Sequence, residues 1–152
     1  MAPVDTTEVG SVKVTFEAWD LAGLRTEKTC SGFTVGYDFE GFQAPLKADA
    51  LNSVKAGSNV PLKWRITDAN GVGIYDPASF RSLSLHSVSC PTVTDTNDFA
   101  TGDVAVGTGL SYEGDGVWKY NWKTPKTARG CRDVHLWLVG STDPHVVQIQ
   151  LR

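Results

Sequence analysis

An all-β fold, two packed layers of antiparallel strands, is what this sequence predicts, and three observations carry the prediction. Apolar and polar residues alternate with period two, the mark of a strand with one buried face; Val12, Val14, Phe16 and Ala18 against Lys13, Thr15, Glu17 and Trp19 show it most clearly. No stretch of about ten residues or more has the 3.6-residue periodicity of an amphipathic helix. Glycine-containing turns, among them Asp20-Leu21-Ala22-Gly23, Asp68-Ala69-Asn70-Gly71 and Glu113-Gly114-Asp115-Gly116, interrupt the chain at short intervals.

Taken in order, the first strand runs through the turn at Asp20 to Gly23 into Thr26 to Val35, rich in β-branched residues, and forms a hairpin. A lone hairpin is marginal in water, so this one must pack on the remainder of the chain or on a partner. The segment YDFEGFQAP, Tyr37 to Pro45, is too irregular for a long strand and too apolar to float free, and is expected to cover one end of a core. A short strand and turn occupy Leu51 to Ser58. Alternation then resumes with Val60, Leu62, Trp64 and Ile66 inward, Lys63 and Arg65 outward. Pro61 lacks a donor and so predicts an edge strand or strand start. A short strand near Val72 to Tyr75 should close that hairpin.

In Phe80 to Cys90, Leu83 and Leu85 fall on one face and Val88 and Cys90 on the other, which predicts a β-bulge near His86-Ser87. Residues 91 to 108 show no periodicity and are expected to be the longest loop. Leu110 to Tyr112 and Val117 to Lys123 form another hairpin, with Trp118, Tyr120 and Trp122 alternating with Lys119, Asn121 and Lys123. Asp133 to Val139 and His145 to Leu151 close the chain, with Val147, Ile149 and Leu151 inward. Eight to nine short strands of this kind indicate an antiparallel immunoglobulin-like β-sandwich with an N-terminal hairpin.

The 152 residues are enough for one substantial core, or for one domain plus part of a neighbour. A formal charge of -3 without a Lys/Arg cluster argues against nucleic acid, and the lack of a long apolar run argues against membrane insertion. The start Met1-Ala2-Pro3 has no secretory signal, so for a secreted or cell-surface parent the signal is expected outside this piece. Cys30, Cys90 and Cys131 are too far apart for a CxxC-type zinc site. Cys90 ends one strand-like segment and Cys131 opens another, which predicts a Cys90 to Cys131 disulfide and an oxidising compartment. The alternative is buried free thiols in a cytosolic protein.

The ordered blocks YDFEGFQAP, VKAGSNVPLKW, HSVSC, YEGDGVWKYNWKTPK and GCR resemble the PxKF domain, a module repeated in or appended to large bacterial extracellular proteins. The resemblance spans about Tyr37 to Arg152, with Trp64 where the signature has phenylalanine. The preceding FEAWDLAGLRTEKTCSGFTV is similar to the closing strands of a bacterial Ig-like domain. Residues 1 to 36 are then a hairpin that closes a preceding Ig-like domain or packs on the next one, and 37 to 152 form the PxKF-like sandwich. The partner of Cys30 would lie upstream.

His86, His135 and His145 stand among many serines without a nucleophile elbow such as Gly-x-Ser-x-Gly, so no catalytic residue is assigned. Asp95, Asp98 and Asp103 are suited to calcium by chemistry, yet their spacing fits no known loop, and neither metal nor cofactor is expected. Trp118, Tyr120 and Trp122 form a row that could stack on sugars. Burying them and wetting their polar alternates is cheaper by several kcal/mol, so they are assigned to the core. Trp19 and Trp137 are the aromatics expected at the surface. The function expected is a non-catalytic structural or adhesive module whose partners are neighbouring domains of the parent protein, another surface protein or a glycan; a glycan-binding accessory module is the alternative.

Overall fold

A computed structural model describes residues 9–90, 99–104 and 109–152, with the backbone alone for Val12, Cys30, Ser31, Phe33 and 99–104. Among them the strands are β1 (Gly10–Trp19), β2 (Arg25–Val35), β3 (Asp38–Gln43), β4 (Asn52–Val54), β5 (Asn59–Thr67), β6 (Phe80–Val88), β7 (Phe99–Val104), β8 (Leu110–Gly114), β9 (Val117–Lys123), β10 (Gly130–Leu138) and β11 (His145–Leu151). The helical content is one 3-10 turn, Pro77–Ser79, which Asp76 caps by accepting from the Ala78 N–H.

Three sheets result: β1-β2; β4-β11-β10-β6-β7; and β3-β5-β9-β8. The last two face each other as an immunoglobulin-like sandwich. Pairing is antiparallel throughout except that β4 runs parallel to β11. The core follows the alternation: Leu62, Ile66, Leu83, Val134, Leu136, Leu138, Val147 and Ile149 are wholly buried, with Trp64, Trp118, Tyr120 and Trp122 filling the space between the layers. Close burial of that many large side chains is what makes a two-layer fold hold without helices.

Several sequence expectations need correction. β5 is not an edge strand, because it lies between β3 and β9. Pro61 is tolerated there because the β3 ladder stops at the Gln43↔Lys63 pair, so no bond to β3 is lost. The expected bulge at His86-Ser87 is absent from the β6–β10 ladder, which runs in register from Cys131↔Val88 to Trp137↔Ser82. Val88 therefore does sit on the outer face of β6, and the irregularity lies between Ser84 and His86 against β7. The expected loop 91–108 contains β7, whose two-sided polarity (FATGDV) gave no alternation to read. Val72 to Tyr75 is no strand; a single Thr67↔Gly73 bridge and the Ile74 N–H to Ile66 carbonyl bond replace it. YDFEGFQAP does contain a strand, β3, interrupted between Phe39 and Phe42 at Gly41, whose φ of 104° bends it.

Candidate functional site

β1 and β2 pair with each other and, among the described residues, with no other strand. The tip forms because the Asp20 carboxylate accepts from the Ala22 and Leu24 N–H groups, 2.9 Å each, while Gly23 takes φ 82°. One face is complete in itself. Thr15 and Thr29 hydroxyls lie 3.1 Å apart, and Arg25 pairs with Glu17 and, at 2.9 Å, with Glu27. The other face carries Val14, Phe16 and Ala18 on β1 with Lys28 and Thr26 opposite on β2, and Phe16 is 62% exposed. Trp19 at 63%, Leu24 at 70% and fully exposed Leu21 extend apolar surface around the tip. Cys30 occupies the register position opposite Val14.

On the sandwich, Cys90 and Cys131 form a disulfide with Cα atoms 5.1 Å apart. Cys131 shares the outer face of β10 with Asp133, His135 and Trp137, set by alternation with buried Val134, Leu136 and Leu138. Register places His86 beside Asp133 and Ser84 beside His135. The His86 and His135 rings stack at 4.1 Å, Ser84 Oγ lies 3.1 Å from His86 Nε2, and Asp133 Oδ1 is buried with no hydrogen-bond partner among the described residues. A serine, a histidine and a carboxylate do meet here. Yet β6 lies between β10 and β7, so its backbone donors are drawn into two ladders rather than left for an oxyanion. His145 is elsewhere, stacked on Phe39 at 3.8 Å, and burial holds its pKa below the usual histidine value.

Three cations and three carboxylates on the outer face of the four-stranded sheet pair with one another. Glu113 accepts from Lys119 and, at 2.6 Å, from Lys63, and these bonds hold its carboxyl below the ordinary range. Arg65 pairs with Glu40 and, at 3.1 Å, with Asp115. Trp137 is half-buried beneath Arg81, whose guanidinium carbon is 5.9 Å from the ring centre. Trp118, Tyr120 and Trp122 are in the core, at 4%, 7% and 6% exposure, so they offer no platform for a sugar.

An open groove of about 390 Å³ runs past Pro45, Leu46, Ala50, Val54 and Val60. Its Asn52 amide is spent on the carbonyls of Lys47, Ala50 and Gln148, leaving little to orient a small ligand. Among the described residues no three His, Cys, Asp or Glu side chains converge as metal ligands, and no helix is long and apolar enough to cross a membrane. Asp95 and Asp98 of the calcium reading lie outside the described residues; the Asp103 backbone is in β7, opposite Ser84. The exposed hairpin face was the feature least visible in sequence, because its alternation is the same as that of a buried strand.

No family model matches the chain, and no curated protein matches it. Solved structures similar to it include the Lin-41 filamin domain, with 13% identity, 76% of this chain and 91% of that one covered, and a TM-score of 0.43. The titin domains z1z2 in complex with telethonin share 15% identity over 93% of this chain and 59% of that one, TM-score 0.34. Domains 4 and 5 of the S-layer protein SbsC share 14% over 92% of this chain and 66% of that one, TM-score 0.33. Likeness at this distance assigns no role to any residue here.

Proposed function

We propose that the chain is a non-catalytic structural module, of PxKF type, from a secreted or cell-surface multidomain protein, and that its hairpin supplies the closing strands of an adjoining Ig-like unit. One observation carries the reading: a sandwich with a filled core and a disulfide on the outer face of one sheet bears a two-stranded sheet that exposes Phe16, Trp19, Leu21 and Leu24 and has no strand on either edge among the described residues. Two strands of about ten residues at 3.3 Å rise present roughly 300 Å² on one face. Two copies meeting face to face would bury about 600 Å², under the roughly 1,200 Å² of a stable specific interface. A layer that also adds strands along the edges of the hairpin supplies what a bare face-to-face dimer lacks. The disulfide favours an oxidising location.

The test is amide hydrogen exchange on a longer natural chain carrying the preceding segment, compared with this chain alone. The proposal expects the amides of Val14 to Trp19 and Arg25 to Thr29 to gain protection of about 100-fold or more when the adjoining unit is present. Unchanged exchange would sink it. Retardation of this chain in affinity electrophoresis against a polysaccharide, abolished by Trp19→Ala, would replace it with the glycan-binding reading.

A further inference from the structure

The hairpin is joined to the sandwich by very little chain. β2 ends at Val35 and β3 begins at Asp38, so Gly36 and Tyr37 make the whole connection, and Tyr37 is packed on the core. A second contact lies across from this connection. The turn after β10 presents Gly140 with φ 81°, and a Cβ placed there would lie 2.5 Å from the Val35 carbonyl oxygen, 2.8 Å from Val9 Cγ1 and 3.0 Å from Gly36 Cα. A Cβ on Gly36 would in turn lie 3.1 Å from the Gly140 carbonyl oxygen. Val9 precedes β1 and Val35 closes β2, paired with Gly10, so one turn touches the bases of both strands.

That turn is itself fastened. The Val139 N–H donates to the Ser79 carbonyl at 2.9 Å, the Ser141 N–H to the Leu138 carbonyl at 3.2 Å, and Leu138 is wholly buried. Backbone seated on backbone has no rotamers through which to readjust, unlike a contact between long side chains. A two-residue tether alone would leave the hairpin free to swing.

We infer that Gly36 and Gly140 form a stiff joint that holds the hairpin at one fixed angle to the sandwich, so that whatever docks on the hairpin is presented in a single orientation. The joint is a property of this chain and stands whether or not an adjoining Ig-like unit is what the hairpin completes.

Residual dipolar couplings of the oxidised 152-residue chain test it. Hairpin amides from Val14 to Trp19 and Arg25 to Thr29 should fit the alignment of the sandwich. Gly36→Val, at a position without positive φ, should reduce the hairpin couplings about twofold while leaving those of the sandwich unchanged, as expected when an element begins to reorient independently. Gly140→Ala should do the same. Gly71→Ala is the control: it places a side chain at another left-handed turn glycine, φ 79°, with nothing within 4 Å, and should leave the hairpin aligned. Hairpin couplings already scaled down in the unsubstituted chain, or unaffected by Gly36→Val, would overturn the inference.

Discussion

Two buried tryptophans show how much single hydrogen bonds decide. Trp118 Nε1 donates to the Ile74 carbonyl at 2.9 Å, whereas Trp64 Nε1 is buried without a partner among the described residues. Replacement by phenylalanine removes a satisfied donor in the first case and an unsatisfied one, a liability of about 1–3 kcal/mol, in the second. Trp118→Phe should therefore destabilise by about 1 kcal/mol more than Trp64→Phe in urea unfolding. His145 carries a pH dependence of the same sign as Glu113, in a different window. Burial lowers its pKa in the folded protein, so the unfolded chain takes up a proton that the folded one resists. Stability should fall as pH drops below about 6.5, and His145→Phe should flatten that part of the curve. Glu113 is depressed by Lys119 and Lys63, so its stabilisation is present above the ordinary carboxylate pKa and is lost further into acid, which separates the two windows.

At the scale of elements, β1 and β5 carry the same alternation and meet opposite fates. Leu62 is wholly buried; Phe16 is 62% exposed. Leu62→Ala should cost about 2–5 kcal/mol. Phe16→Ser should change the stability of this chain by no more than about 0.5 kcal/mol, measured by the same unfolding titration. Period-two patterning reveals that a strand has an apolar face but not whether the layer to cover it belongs to the same stretch of chain. β6 teaches a related lesson. Its switch of apolar face at Val88 read as a bulge, but Val88 stands opposite Cys131 on the outer face, where the disulfide lies.

For the whole molecule, the disulfide is the main tie along the chain. It links the residues just beyond β6 to the start of β10 across a sequence separation of 41. Closing a loop of that size contributes about 4 kcal/mol by restricting the unfolded chain, a large part of a small domain's margin. Reduction should lower the unfolding midpoint accordingly, and thiol titration of the unfolded chain before and after reduction should differ by two groups. The hairpin adds surface rather than core, so it should exchange its amides well before the sandwich does.

Alternation and turn chemistry settled the fold class, the inward residues of β5, β9 and β11, and the burial of the Trp118-Tyr120-Trp122 row, because each follows from spacing along one strand. Strand ends of opposite address also made the Cys90–Cys131 link legible. Tertiary structure alone decided the central position of β5, the strand within 91–108, the parallel partner of β4 and the seating of the hairpin on Gly140. Those depend on which edges meet across the molecule, and a two-residue repeat contains the face of a strand but not the identity of its neighbours.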